Sequence, residues 1–204
     1  MFTGIITDVG RIEHSIREDN QMHIHLVTTL DTSKWQCGDS VAVDGCCLTI
    51  TALPSMGKWH ATLSAETLAL THFDQAQIGQ RVNMEPALCV GDPLGGHMVS
   101  GHIDSMAQIV AIDCVGDHRC YHFALPAALA PLIVHKGSIA INGVSLTINS
   151  VKGDEFSVNL IPHTLKHTNL GFLKKDDWVN IETDMFGRYI QRMLQVGYLG
   201  TCNK

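Results

Sequence analysis

The chain has 204 residues, 45% of them hydrophobic and 17% charged, too apolar for a disordered segment and long enough to bury one or two cores without staples. Lys and Arg number 14 against 20 Asp and Glu, a formal charge of −6 with no basic run, which excludes the footprint of a nucleic-acid binder. No apolar stretch reaches the length of a membrane span, so no membrane partner is expected. The opening MFTGIITDVG has neither a charged n-region nor a small-residue cleavage site and is not read as a secretory signal. Short alternating segments rich in Val, Ile and Thr follow, punctuated by Gly, Asp and Asn: HIHLVTT, SVAVDGCCLTIT, RVNMEPAL, SIAINGVSLTIN and EFSVNLI. They predict many short strands with little helix, the pattern of a small closed barrel. Short helices are predicted near residues 31–35 and 64–71, with counterparts near 127–134 and 162–167. Residues 86–96, with a Pro-Leu-Gly-Gly run, read as a linker. Beyond Glu182, Met185, Tyr189, Ile190, Met193 and Leu194 fall at helical spacing, with Thr183 or Asp184 available as N-cap.

The chain repeats itself. Residues 40–51, SVAVDGCCLTIT, match residues 138–149, SIAINGVSLTIN, at six of twelve positions and an offset of 98. At an offset of 97, MFTGII matches MVSGHI, LSAETLALT matches LIPHTLKHT, and VNME matches VNIE. Four separated matches at one offset, with a single slip, define two copies of a unit of 97 residues. A period this long indicates a duplicated domain rather than a solenoid. The terminal helix lies outside both copies, so it is expected to serve oligomerisation rather than to pack on its own barrel.

Alternation along the best-matched strand sorts its residues. Cys46, Leu48 and Ile50, with Val144, Leu146 and Ile148 in the second copy, take the core face. Cys47 and Thr49, with Ser145 and Thr147, take the other face. Each copy thus presents a nucleophilic or hydrogen-bonding group beside a threonine. The bland alternative for Cys47 is a buried small hydrophobe, but Cys46 already fills the core slot. For Ser145, Thr49 and Thr147 the bland alternative is ordinary strand polarity. The Gly-rich segment GGHMVSGHID (residues 95–104) holds His97 and His102. His102 stands where the first copy has Ile5, so an acid–base group breaks the internal symmetry there. Two near-equivalent polar faces suggest two similar ligands.

Cysteines number seven, at Cys37, Cys46, Cys47, Cys89, Cys114, Cys120 and Cys202, with irregular spacing and no CxxC, as expected of free thiols in a reducing cytosol. His97 and His102 face opposite ways on a strand, His23 and His25 lack a third ligand nearby, and HExxH is absent, so no metal site is expected. No nucleotide-binding fingerprint occurs.

MFTGI, the strand DG-CCLT, GGHMVSGHID, INGVSLT and LIPHTLKHT, in this order and covering almost the whole chain, resemble the riboflavin synthase family. The resemblance implies an all-β fold of two tandem homologous six-stranded Greek-key β-barrels followed by a C-terminal α-helix. The implied domains are 1–97, 98–183 and a trimerisation helix at 184–204. It implies a cytoplasmic homotrimer, association with lumazine synthase, and active sites between the N-terminal barrel of one subunit and the C-terminal barrel of its neighbour. Each barrel would hold one 6,7-dimethyl-8-ribityllumazine. Two such molecules dismutate by four-carbon transfer to riboflavin and 5-amino-6-(D-ribitylamino)uracil, with no cofactor and no metal.

Carried over residue by residue, Cys47 would act on the acceptor as nucleophile or base. His102 and Ser145 would handle the C7-methyl proton of the donor, and Thr49 and Thr147 would bond the rings, Thr147 counting among the catalytic set. The implied substrate-lining stretches are Gly4, Ile5 and Ile6; Ser40; Cys47, Leu48 and Thr49; Thr62, Leu63, Ser64, Ala65, Glu66 and Thr67; Gly101, His102 and Ile103; Lys136; Ser145, Leu146 and Thr147; and Asn159, Leu160, Ile161, Pro162, His163 and Thr164. His163 is given no role. Asn142 stands where some members carry Asp; asparagine cannot serve as a base, and a hydrogen-bonding or turn role beside Gly143 is expected. The rival reading is a non-catalytic lumazine- or flavin-binding antenna protein of the same fold. A structural barrel with no small ligand leaves His102 and the polar faces unexplained.

Overall fold

The computed structural model describes residues 1–198. Cys202 and the end of the expected 184–204 helix lie outside the described residues. The first copy folds as β1 (Asp8–Glu18), β2 (Gln21–Val27), β3 (Ser40–Val43), β4 (Cys46–Ser55), β5 (Lys58–Leu63), a short helix α1 (Ala65–Leu70) and β6 (Arg81–Pro86). These six strands close in the order β1-β2-β5-β4-β3-β6. The second copy repeats them as β7 (Ser105–Val115), β8 (His118–Ala124), β9 (Ser138–Ile141), β10 (Val144–Lys152), β11 (Glu155–Leu160), α2 (Pro162–His167) and β12 (Trp178–Thr183), closed in the equivalent order. All pairings are antiparallel, and closure leaves no free sheet edge. Each barrel has its own core. Ile24, Leu26, Trp59 and Met84 fill the first, and Tyr121, Phe123, Phe156 and Ile181 the second. Burying each such side chain stabilises by about 1.5–3 kcal/mol.

Among the predicted helices, 64–71 and 162–167 form as α1 and α2, and 127–134 forms as a 3-10 turn at Ala127–Leu132. Residues 31–35 are not helical. Asp31 accepts from Ser33 N at 2.9 Å, and the Thr32 hydroxyl accepts from Gly57 N at 2.9 Å. Local side-chain bonds take the backbone out of helix there.

Two tight turns set the contact between barrels. Val43 pairs with Cys46 and Ile141 with Val144, so Asp44-Gly45 and Asn142-Gly143 are two-residue hairpin loops, with φ of +43°, +79°, +44° and +77°. Asp-Gly and Asn-Gly are the sequences that tolerate this geometry. The turns meet back to back: a Cβ on Gly45 would lie 2.7 Å from Gly143 N. Around them runs a buried polar network. Asn83 Nδ2 donates to Asn142 O at 2.8 Å, Asn180 Nδ2 to Asp44 O at 3.0 Å, and Asn169 Nδ2 to Asp44 Oδ1 at 2.8 Å. Each of these buried groups therefore finds a partner in the other copy.

The lead-in segments cross over. Phe2 and Val99 exchange backbone hydrogen bonds at 2.7 and 3.1 Å, and both are buried. From this bridge residues 3–6 run to the second barrel, where Ser145 N donates to Gly4 O at 2.8 Å and Ile6 packs on the core. Residues 100–103 run to the first barrel, where Cys47 N donates to Gly101 O at 2.8 Å and Ile103 joins the core. Two buried carboxylates hold the crossings. Glu85 accepts from Thr3 N, Thr3 Oγ1 and Gly4 N at 2.6–2.9 Å; Glu182 accepts from Ser100 N, Ser100 Oγ and Gly101 N at 2.7–2.9 Å.

The chain ends in α3 (Met185–Gln195), capped by Asp184, whose carboxylate accepts from Phe186 N at 3.0 Å. Phe186, Tyr189, Ile190, Met193 and Leu194 are exposed. No helix among the described residues is long and apolar enough to cross a membrane.

Candidate active site

The site grows from β4 and β10. On β4, Cys46, Leu48 and Ile50 are buried, Cys47 is half-buried and Thr49 is exposed. On β10, Val144 and Ile148 are buried, Ser145 and Leu146 half-buried and Thr147 exposed. The alternation read from the sequence therefore holds, except that Leu146 reaches the core only partly. Burial pushes the Cys46 thiol up to about 12, so it stays protonated. Both cysteines line the adjoining pocket, but Cys46 is buried in the core and Cys47 is the more open of the two.

The crossing of lead-in segments decides what faces each strand. Gly101, at φ +83°, lies flat against Cys47, where a Cβ would come within 2.5 Å of the Cys47 Cβ. This close approach places His102, exposed, at the mouth of a pocket of about 230 Å³ lined by Cys47, Glu66, Thr67, Thr71 and Gly101. His102 thus belongs by sequence to the second copy and by position to the first barrel. Gly4, at φ +76°, lies against Ser145 in the same way, at 2.6 Å, and carries exposed Ile5. The expected partners His102 and Ser145 therefore sit at different barrels.

Ser145 has an imidazole that the sequence did not assign. His97 Nδ1 lies 2.7 Å from Ser145 Oγ. The preceding glycine makes room: a Cβ on Gly96 would meet Ser145 Oγ at 2.9 Å. Burial pushes the His97 pKa below its ordinary 6.5, against the smaller opposing pull of Asp184 and Glu182, so the ring is neutral at pH 7. Its Nε2 is buried and has no hydrogen-bond partner among the described residues. A neutral imidazole against a hydroxyl can take the proton of that hydroxyl or hold its oxygen as an acceptor.

The other candidates divide. Around the first pocket, Ser64 caps α1, its Oγ accepting from Thr67 N at 3.2 Å, which sets Glu66 and Thr67 on the lining. Thr62 Oγ1 is engaged by His23 Nδ1 at 2.9 Å, Ser40 pairs with Thr49, and Ala65 is exposed. Leu48, Leu63 and Leu160 lie in barrel cores, and Ile103 joins the first core while lining the pocket beside Cys47. Around the second, α2 starts at Pro162 behind exposed Ile161, with no side-chain cap, and Thr164 is half-buried. His163, in place of Glu66, lies against His167, the ring centroids 4.2 Å apart and the planes tilted by 31°. Asn159 N donates to Asn149 Oδ1 at 2.8 Å, and Lys136 is exposed at φ +64°. Asn142 is 2% exposed; its Oδ1 accepts from Asn180 N at 2.8 Å, so its side chain serves the turn network.

Larger hollows lie elsewhere. One of about 500 Å³ between the barrels is lined by Arg17, Leu68, His72 and Trp178. It lacks the open thiol, so chemistry rather than volume locates the site. Among the described residues no group of three or more His, Cys, Asp and Glu converges to hold a metal.

Fold and site define a duplicated barrel, with thiol and imidazole at a pocket on the first copy and hydroxyl and imidazole on the corresponding strand of the second. The family model for the lumazine binding domain matches twice, at residues 3–87 and 100–184. Riboflavin synthase of Brucella abortus (strain 2308) is 41% identical over 199 residues, 96% of this chain and 98% of that protein. Riboflavin synthase of Photobacterium phosphoreum is 38% identical, over 96% of this chain and 90% of that protein. A crystal structure of LumP complexed with 6,7-dimethyl-8-(1'-D-ribityl) lumazine superposes with a TM-score of 0.80 at 26% identity, covering 90% of this chain and 99% of that one. The chain belongs to the riboflavin synthase family, with two lumazine binding domains in tandem.

Proposed function

We propose that the chain is a riboflavin synthase: it binds two 6,7-dimethyl-8-ribityllumazine molecules and transfers a four-carbon unit between them, giving riboflavin and 5-amino-6-(D-ribitylamino)uracil. The observation that carries this reading is the unequal chemistry of two equivalent strand faces, Cys47 with His102 on β4 and Ser145 with His97 on β10.

The substrate dictates the needs. The C7 methyl of the lumazine is acidic because its anion delocalises into the electron-poor ring. A base must take that proton from the donor, and a nucleophile must add at C7 of the acceptor. The open thiol of Cys47 suits the acceptor, with His102 beside it to move protons. Ser145, its oxygen held by neutral His97, suits the methyl proton of the donor. Thr49 and Thr147, on the same faces, supply hydrogen bonds to the rings, and Glu66, Thr67 and Thr164 supply partners for the ribityl hydroxyls.

The Cys47 and Ser145 sites of one chain lie on separate barrels, an arrangement that suits a shared site in which barrels of different subunits face each other. The exposed apolar face of α3 supports a subunit contact, in the homotrimer that the family resemblance implies. A hollow of about 380 Å³ beside it, lined by Leu132, Phe186, Ile190 and Leu194, offers the contact area. Holding both rings face to face removes an entropic barrier of up to about 7–11 kcal/mol. The proposed division into 1–97, 98–183 and 184–204 follows the repeat; the pockets do not, since each is completed by the other copy's lead-in segment.

The test is to mix the protein with 6,7-dimethyl-8-ribityllumazine alone and follow riboflavin absorbance. One riboflavin formed per two lumazines consumed is the expected result. Tight binding with shifted fluorescence and no product would instead assign the antenna role.

A further inference from the structure

His102 is aimed at the first pocket by its backbone, since its side chain is exposed. Two of the fixings come from the second copy. Glu182 holds the amides of Ser100 and Gly101 on the N-terminal side, at 2.7 and 2.9 Å. On the C-terminal side the fixing comes from α3. Arg188 Nη2 donates to the His102 carbonyl at 2.8 Å and to Asp104 Oδ2 at 3.1 Å. Asp104 is itself tied down, its Oδ2 accepting from Thr183 N and Thr183 Oγ1, both at 2.7 Å. The guanidinium also lies 3.9 Å from Glu182 Oε1. With the Arg188 side chain 29% exposed and those of Asp104 and Glu182 at 17% and 1%, these are charge-assisted bonds partly shielded from water.

Among the described residues the first copy has no such device. Ninety-seven residues before Arg188 the chain has Gly91, in the linker, and before Asp104 it has Thr7, whose hydroxyl donates to Met84 O at 3.0 Å. Among the described residues no side chain donates to the carbonyl of Ile5. The lead-in segment that carries an ionisable group is therefore the one clamped by a cation, and the clamp sits on a helix that carries an exposed apolar face.

We propose that Arg188 is a positioning residue: its guanidinium fixes the His102 carbonyl, holds the imidazole over the first pocket, and couples the catalytic loop to the terminal helix. The inference rests on the site reading above, so its test includes a readout that does not depend on turnover. In Arg188→Met, which keeps the aliphatic stem and removes the donors, kcat falls about tenfold while KM stays within about twofold. Arg188→Lys, which keeps a charge that reaches one acceptor, recovers most of that loss. Amide hydrogen exchange of residues 101–104 rises at least about tenfold in Arg188→Met while barrel amides keep their protection. Sedimentation and thermal unfolding check that assembly is retained. Unchanged loop exchange, or loss of kcat in equal measure for Lys and Met, overturns the proposal. If Arg188→Met does not fold, Arg188→Gln takes its place in the exchange measurement with the same expected rise. A wild-type protein that makes no riboflavin refutes the function proposed above, and the exchange result then still decides the role of Arg188.

Discussion

The two barrels share strand order, turn chemistry and carboxylate clamps, yet differ at the few positions that face a ligand. Cys47 becomes Ser145, Ile5 becomes His102, and Glu66 becomes His163. Glycines that let the lead-in segments touch β4 and β10 are kept in both. The scaffold is thus constrained by contacts each copy makes with the other, whereas the pocket residues are free to diverge because they point away from both cores. A symmetric fold with asymmetric pockets can hold two copies of one ligand and treat them differently.

Removing the thiol gives the largest effect. Cys47→Ser is expected to lower turnover by roughly 10³-fold or more with lumazine binding retained, as measured by fluorescence titration. Wild-type turnover in this variant would remove the chemical distinction between the pockets. Breaking the other pocket comes next. His97→Gln should cost about 10²-fold, and the pH profile sharpens the point. Because burial depresses the His97 pKa, wild-type activity should hold until the pH falls below the ordinary 6.5 and then drop as the ring takes a proton. That limb should vanish in the Gln variant; its persistence would assign the titration to another group. The depressed value also means that the unfolded chain takes the proton first. Stability therefore falls as pH drops from 6.5 towards the folded value.

Two matched substitutions probe the shared scaffold. Gly4→Ala and Gly101→Ala each put a Cβ at positive φ and against the facing strand. Each is expected to cost about 1–3 kcal/mol, read as a fall in Tm of about 2–4 °C per kcal/mol. Unequal losses would show that the crossings are not equivalent. The smallest effect is expected from Ile5→His, which copies His102 onto the second barrel. Ile5 is 48% exposed, so stability should stay within about 0.5 kcal/mol, and turnover should not rise because the clamp at Arg188 has no counterpart there. A gain in turnover would show that imidazole placement needs no clamp.

Much of this was legible in the sequence because the duplication is. The offset exposed the repeat, alternation placed Cys47 and Ser145 on the outer face, and Asn142-Gly143 announced its turn. What the repeat cannot reveal is which barrel a segment joins. Residues 98–103 align with 1–6 whether each stays on its own barrel or crosses, and only the packed structure places His102 beside Cys47. His97 escaped for a related reason. It lies next to the linker, has no counterpart to be compared with, and meets Ser145 across 48 residues. The Arg188 contact is equally long-range, at 86 residues from His102.

The crossed lead-in segments also impose an order on the birth of the molecule. Residues 3–6 are synthesised long before the strand that receives Gly4, which begins at Val144. The first barrel in turn lacks part of its cover until residues 100–103 emerge. Neither half can be finished before the other has begun, so Phe2 waits for Val99 and Gly4 waits longer still, for Ser145. Fast local strand pairing followed by a late mutual closure is the folding order this connectivity requires.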